Sequence, residues 1–410
     1  MIEGYGQEFI YRQIELPLLP ILNEMESYGV RVDLAALAQL GEELKNGQEE
    51  LRRGPLAGVD VGKGGTTGAT KHHLYVDLAL PILRLTDGGQ PSTDDDTLKE
   101  LEGRATGEAR AFVHGLRQLR EFAKLDSTYV IGMAKWLKGD RVQYRLHQVG
   151  TETGRMSCSD FNLMNIPAVG EFGPRFRQVF IPEDGYSLMA ADYSQIEYRV
   201  VAVLAQERGL IDAWWRDNAT DVHQETANLM GIPDRRRDGK TLNFAILYGE
   251  GDRAIGAALG ITTKAAAALR KLYWERLPGI ARWVKATQVQ AMVDGYVETY
   301  FGRRNYILIP ESSEKWFVEK RLREAVNMPV QGTAADIEKV FMPGANGVAH
   351  DYGARMLVMV HDELLFEVPQ GREVEMGKDL QEVGEHCVDI GVPLKLDVHY
   401  GHSWKEAKGE

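Results

Sequence analysis

Residues 356–368 read MLVMVHDELLFEV. Two apolar runs, MLVMV and LLFEV, flank the triplet His361-Asp362-Glu363. The pattern predicts a strand–turn–strand hairpin with Asp362 and Glu363 at its tip. An isolated Asp-Glu pair there is no more than a polar turn. A second stretch changes that reading. YSLMAADYSQIE (186–197) is another apolar, strand-like run, and it leads into Asp192. If the strands share a sheet, their ends meet and Asp192 converges on Asp362. Like charges ~4 Å apart repel by ~4 kcal/mol at an effective dielectric of 20, so the pair calls for a cation. Mg²⁺ suits oxygen ligands and binds through one or two carboxylates plus substrate phosphates. Two such ions can clamp the attacking and leaving oxygens of a phosphoryl transfer. His361 is read as a hydrogen-bonding group, not a ligand.

Working outward, about 150 mostly helical residues separate the two strand stretches, including DVHQETANLM (221–230), KTLNFAILYG (240–249) and TKAAAALRKLYWERL (263–277). Before Tyr144 the texture is helical as well. IELPLLPILNEMESYGVRVD (14–33) ends at a Gly-containing turn, and a charged amphipathic helix follows over 34–53. GPLAGVDVGKGGTTGAT (54–70) reads as a loop. A helix start lies near Ser92, Thr93 or Asp94 as N-cap, and one or two helices rich in Arg and Lys fill 107–137. A helical arm, then a sheet interrupted by a helical lobe, is an α+β layout.

Bulk properties narrow the class. The chain has 410 residues and 44% hydrophobic content, enough for two or three domains with their own cores. With 48 basic and 60 acidic residues the net charge is −12, which argues against nucleic acid unless the cations gather on one face. Cys158 and Cys387 match no metal-ligand spacing, so a reducing, cytoplasmic setting is expected. No signal peptide and no apolar run of the ~20 residues that span a bilayer is present, so no membrane partner is expected.

In RRRDGKTLNFAILYG (235–249), Arg236, Lys240, Phe244 and Tyr248 recur every four residues. On a helix they share one broad face and form a stripe ~18 Å long. The stripe is cationic at its start and aromatic at its end, the polarity of a nucleoside triphosphate. An amphipathic helix with core aromatics has the same spacing. Gly239-Lys240-Thr241 resembles the end of a P-loop, but Asp234 stands where that motif needs Gly.

Together these stretches resemble the family A DNA polymerases, the bacterial DNA polymerase I type. DYSQIE (192–197) is similar to that family's motif A, RRRDGKTLNFAILYG to motif B and VHDE (360–363) to motif C. TGRMSCSDFNLMNIP (153–167), DVHQETA (221–227), GYVETYFGRR (295–304), NMPVQGTAAD (327–336) and KLDSTY (124–129) match further segments in order, from about residue 14 onward. The resemblance implies a right hand. Residues 1–33 would be a lead-in and palm edge, 34–140 a helical thumb, 141–205 palm with motif A, 206–320 helical fingers with motif B, and 321–410 palm with motif C. The palm would hold an antiparallel sheet.

It also implies roles. Asp192, Asp362 and the Tyr193 backbone carbonyl would hold two Mg²⁺ ions, with Mn²⁺ as substitute. A primer 3′-hydroxyl would attack the α-phosphate of a dNTP, releasing pyrophosphate, with Glu363 as a supporting carboxylate. Lys240, Arg236 and His223 would bind the phosphates, Lys240 also protonating the leaving group. Gln195, Glu197, Phe244 and Tyr248 would complete the dNTP site. Glu197 with Tyr248 would reject ribonucleotides, and Phe244 would disfavour dideoxynucleotides. Arg155, Asn162, Asn165, Arg323, Asn327, Gln331 and His361 would line primer–template DNA near its terminus, with Lys124, Ser127 and Thr128 on the thumb. Contacts to minor-groove acceptors shared by all base pairs check shape without reading sequence. Basic residues then need only line the cleft, which answers the charge objection.

Some residues depart from the family pattern: Asp126 where a base is common, Ala245 for Gly, Tyr198 for Leu, and Phe161 and Met164 for Pro and Gln. Fewer than about 20 residues precede the resemblance, so no proofreading 3′–5′ exonuclease activity is expected. The chain is expected to act as a monomer in a bacterial or phage-infected cell, with any processivity factor or exonuclease a separate partner. A single-subunit RNA polymerase or reverse transcriptase is the first alternative, disfavoured by Glu197. A catalytically silent DNA-binding replication protein is the second, disfavoured by the presence of Asp192, Asp362 and Lys240.

Overall fold

In this computed structural model the described residues are 7–360 and 362–409. His361, expected at the DNA, lies outside them. The chain forms two compact units. One comprises residues up to Val30 together with Tyr144–Asn165 and Ile181 onward; the other comprises Arg31–Gln143 and Ile166–Phe180.

The first unit is built on a four-stranded antiparallel sheet: β1 (Tyr186–Tyr193), β2 (Arg355–Val360), β3 (Glu363–Pro369) and β4 (Leu396–Gly401), in the order β4-β1-β3-β2. Both strand stretches read from the sequence therefore belong to one sheet. Five consecutive residues of β1, Ser187 to Ala191, are buried, as are five of the six in β2. Continuous burial in place of alternation means that both faces are covered, which is why these runs read as uninterrupted apolar segments.

The covering helices follow from the same sequence. A helix at Lys315–Asp351 runs 37 residues, ~55 Å, straight through Pro329 and Pro343. It is called α4 below, after α1 (Ile196–Leu204), α2 (Val222–Leu229) and α3 (Arg236–Leu247). Next come α5 (Glu373–His386) and the short α6 (Trp404–Ala407). On one sheet face Met189 reaches towards α5, and the Tyr193 hydroxyl donates to the Gly384 carbonyl at 2.7 Å. A buried ionic network anchors the early chain to α4. Lys339 Nζ lies 2.6 Å from a Glu15 oxygen, and Arg303 Nε donates to Asp336 at 2.8 Å while also pairing with Glu15.

The second unit is mainly helical. Leu34–Arg53 is capped by Asp33, which accepts from the Ala35 and Ala36 N–H groups at 3.0 and 2.9 Å. Of the three N-cap candidates near residue 93, Asp94 does the capping, accepting from Thr97 N–H at 2.7 Å. Leu98 and Leu101 from that helix pack with Phe112, Leu116 and Leu119 of Gly107–Leu125 in one core. The glycine-rich loop is gripped through its carbonyls. Arg52 donates to Gly62 O, and Arg120 to Gly65 O, each at 2.8 Å. Lys124, Ser127 and Thr128 are exposed on this unit.

Candidate active-site cleft

Asp192 occupies the next-to-last position of β1, paired with Glu363 on β3 and Asp397 on β4. Directly opposed residues project to the same sheet face, so three acids share a row. The Tyr193 N–H donates to the Asp362 carbonyl at 3.4 Å, which brings the turn between β2 and β3 over the end of β1. Asp192 and Asp362 thus line one cleft, of about 550 Å³. Burial comes first, then the charges of Asp362, Glu363 and Asp397, in pushing the Asp192 carboxyl up to about 8 against the pull of Lys408. Its Oδ1 is buried without a hydrogen-bond partner.

One detail of the hairpin reading is corrected. Of the two acids, Asp362 sits in the turn, whereas Glu363 already belongs to β3 and is 1% exposed. Its carboxylate accepts from the Trp404 indole N–H at 2.6 Å and lies 2.8 Å from Lys408 Nζ. Glu363 is occupied by α6 and the residue after it, and the cleft lining does not include it.

The opposite side of the cleft is α2 and α3. Their close approach depends on Gly239, since a Cβ there would lie 2.1 Å from the His223 carbonyl oxygen. The four-residue stripe is a helix face as expected, with Tyr248 at the C-cap. Arg236, Lys240, Phe244 and Tyr248 line the cleft, while Leu242, Asn243, Ile246 and Leu247 face inward. Asp221 caps α2 through the N–H groups of His223 and Gln224, at 2.9 and 3.2 Å, and its other oxygen accepts from Arg236 Nε. Burial alone would raise Asp221, but Arg236 and the helix N–H groups outweigh it and hold the acid below its ordinary range.

His223 is held neutral. Burial, followed by the positive charges of Arg236 and Lys240, brings it down to about 4 despite Asp221. The Asn243 amide lies 2.9 Å from His223 Nδ1, and Asn243 Oδ1 accepts from Thr226 Oγ1 at 2.9 Å. Asn243 thus holds the His223 ring through Nδ1.

Glu197, in the first turn of α1, accepts from the Arg155 guanidinium on one oxygen and from the Tyr248 hydroxyl on the other. The Phe244 and Tyr248 rings stack with centroids 5.7 Å apart, and Tyr198 meets Phe244 edge-on at 6.0 Å. Gln195 takes a left-handed backbone, φ 56°; its amide accepts from Val222 N–H at 2.9 Å and donates to the Thr220 carbonyl at 3.3 Å. It ties the end of β1 to α2.

The family description DNA polymerase family A matches residues 35–406. The chain belongs to DNA polymerase family A. It is 38% identical to the thermostable DNA polymerase I of Thermus thermophilus over 98% of this chain and 49% of the relative. It is 36% identical to DNA polymerase I of Bacillus subtilis over 99% of this chain and 47% of that one. The chain therefore spans about half the length of the curated relatives it matches. Among solved structures it is similar to the POL domain of Pol1 from M. smegmatis in complex with DNA primer-template and dNTP. There the TM-score is 0.90 at 32% identity, covering 99% of this chain and 73% of that one. The α+β polymerase fold read from the sequence is that of the family.

The remaining expected residues of this family A chain fall into three groups. Gln331 lines the cleft and hydrogen-bonds Tyr248. Arg323 lies beside Gly249, and Asn327 sits one helical turn on with its Oδ1 buried and unpartnered. Asn162 closes a turn, accepting from Met164 N–H at 3.0 Å, and Asn165 is exposed; neither lines the cleft. The sequence reading missed Asp221, Asn243 and Asp397, whose roles depend on partners from other elements. It also missed Glu338 on α4, a buried acid whose carboxyl is raised well above the ordinary range by burial and by the charges of Asp362 and Asp192. Tyr198, a departure from the family pattern, is accounted for by its hydroxyl bonding to that of Tyr273.

Proposed function

We propose that this chain is a DNA-templated DNA polymerase that extends a primer 3′-hydroxyl with dNTPs. The observation that carries the reading is the joint lining of one cleft by Asp192 and Asp362 on one side and Arg236, Lys240, Phe244 and Tyr248 on the other, in a family A chain.

In this reading Arg236, Lys240 and His223 bind the triphosphate. Lys240, its Nζ 5.8 Å from the Phe244 ring centre, holds the proton that the leaving pyrophosphate takes. Phe244 and Tyr248 face the sugar and base, Gln195 braces the end of β1, and Glu197 occupies the place a 2′-hydroxyl would need. The donors at the sheet end, Asp192, Asp362 and the Tyr193 carbonyl, are all hard oxygens, and the orphaned Asp192 Oδ1 suits a divalent cation. When bound there, two Mg²⁺ ions, or Mn²⁺ in their place, supply charge neutralisation and Lewis-acid polarisation of the phosphoryl oxygens.

Arg155, Asn162, Asn165, Arg323, Asn327 and Gln331 are assigned to primer–template DNA, with Lys124, Ser127 and Thr128 on a thumb formed by 34–140. Residues 206–320 are assigned to the fingers, and the β1–β4 sheet to the palm. Among the described residues no helix is long and apolar enough to cross a membrane. For these residues alone we assign extension without excision of a mismatched terminus.

The test is extension of a 5′-labelled primer on a DNA template with Mg²⁺ and dNTPs, with parallel lanes holding rNTPs and a mismatched terminus. Extension by dNTPs is expected, with little by rNTPs and no shortening of the mismatched primer. No extension under any cation would leave a DNA-binding protein without catalysis, and efficient rNTP use would defeat the role given to Glu197.

A further inference from the structure

We infer that Tyr273 is a positioning residue of the nucleotide site: its hydroxyl, bonded to that of Tyr198, fixes the ring against which Phe244 and His223 rest. The inference rests on the nucleotide site assigned above and extends it behind the cleft wall.

Tyr198 follows Glu197 in α1 and is 1% exposed. It lines the cleft, where its ring meets His223 edge-on at 5.3 Å and Phe244 edge-on at 6.0 Å. His223 and Phe244 in turn touch each other at 5.6 Å, and Phe244 stacks on Tyr248. Tyr198 also lines a second cavity of about 290 Å³, together with Val222, Leu229, Tyr273 and Leu277. It therefore stands between the two. A ring beside a void lacks packing partners on that side, so its position depends on whatever else holds it.

Tyr273 supplies that hold. It lies on the helix Thr263–Arg276, is buried, and among the described residues does not belong to the cleft lining. Its ring packs in one core with Leu242, Ala245 and Ile246 of α3, while its hydroxyl hydrogen-bonds that of Tyr198 on α1. The same helix α3 carries Lys240, Phe244 and Tyr248 towards the cleft. Tyr273 thus sets where the Tyr198 ring stands relative to the helix that presents Phe244. Burial pushes both phenols up, so the contact is a bond between neutral hydroxyls.

The experiment is single-turnover incorporation of one dNTP across a range of dNTP concentrations, which separates apparent nucleotide Kd from maximal rate. Wild type is compared with Tyr273→Phe, Tyr198→Phe and the double variant, at a temperature where circular dichroism shows all of them folded. Each substitution keeps the ring and deletes one hydroxyl, so either one removes the bond should the other fail to fold. Tyr273→Phe should raise the dNTP Kd about fivefold or more, the loss of one hydrogen bond. Its maximal rate and primer–template affinity should stay within about twofold of wild type. The two hydroxyls act through one bond, so the double variant should bind dNTP no more weakly than the weaker single variant. Wild-type dNTP Kd in Tyr273→Phe, with only its melting temperature lowered, would make Tyr273 a stability residue and overturn the inference alone. Losses that multiply in the double variant would also overturn it. If wild type incorporates no dNTP, the assigned nucleotide site fails and this inference goes with it.

Discussion

Glu197 is held from two sides at once, by the guanidinium of Arg155, 42 residues before it, and by the phenol of Tyr248, 51 residues after it. Both carboxylate oxygens are tied down, so the wall proposed above for the sugar position is fixed in the unliganded chain. Burial, and then Glu197 itself, also keeps the Tyr248 phenol protonated and donating. Replacing Glu197 by Ala should open this wall. Ribonucleotide incorporation relative to deoxyribonucleotide should rise about 10- to 100-fold, in keeping with ~1.5–3 kcal/mol for a charge-assisted hydrogen bond. Overall activity should fall, because Arg155 and Tyr248 lose their partner. Single-nucleotide incorporation kinetics would measure the ratio, and an unchanged ratio would remove Glu197 from sugar selection.

Phe244 stands between Lys240 and Tyr248 on the α3 stripe, its ring packed on Tyr248, Tyr198 and His223. Phe244→Tyr adds one hydroxyl to a ring in the cleft lining. A hydroxyl that replaces a missing 3′-hydroxyl is worth about 1 kcal/mol or more, so dideoxynucleotide acceptance should rise about tenfold or further. Competition between ddNTP and dNTP at a template position reads this directly, and an unaltered ratio contradicts the contact assigned to Phe244.

The cation-free protein should lose stability as pH rises. Asp192 is raised to about 8, so the folded state keeps a proton that the unfolded chain releases from about pH 4 upward. Stability from this group is therefore present at low pH and lost progressively up to about pH 8. Sharing of the proton among neighbouring acids reduces the effect to about 2–3 kcal/mol over that window. Asp192→Asn should flatten the slope, and Mg²⁺ should stabilise the wild type more at pH 8 than at pH 6. Denaturant unfolding at both pH values checks the sign; a wild-type slope identical to that of Asp192→Asn would refute it.

Lys408 lies 2.8 Å from the almost fully buried Glu363 carboxylate. Removing a buried ion's partner typically costs 3–5 kcal/mol. Lys408→Met should thus destabilise the chain by about 3 kcal/mol in urea unfolding, and adding Glu363→Gln should recover part of that loss. An unchanged midpoint for the single variant would mean that Glu363 does not depend on Lys408.

Much of the site was legible because short spacings encode it. The strand runs around Asp192 and Asp362, and the four-residue period of Arg236, Lys240, Phe244 and Tyr248, are local patterns that survive folding unchanged. Pairings between distant elements were not legible. Nothing beside Glu363 announces Trp404 and Lys408, some forty residues further on, so the spacing placed both acids at the tip of one hairpin. Glu338 sits in the apolar-looking run AADIEKVFM, where only the azimuth of α4 shows which way it faces. Pro329 and Pro343 are local signals against the one long helix that carries it. Tertiary packing overrides them there; Thr333 Oγ1, for example, donates to the Pro329 carbonyl at 2.6 Å.

The convergence of Asp192 and Asp362 at the end of one sheet carries the rest, and Asp362→Asn tests it most directly. Single-turnover primer extension with saturating dNTP and Mg²⁺ is the measurement, alongside primer–template binding without Mg²⁺. The account predicts at least a thousandfold loss of extension with DNA affinity within about twofold of wild type, since the proposed two-cation clamp would lose one of its charged arms. Extension at or near the wild-type rate would contradict it.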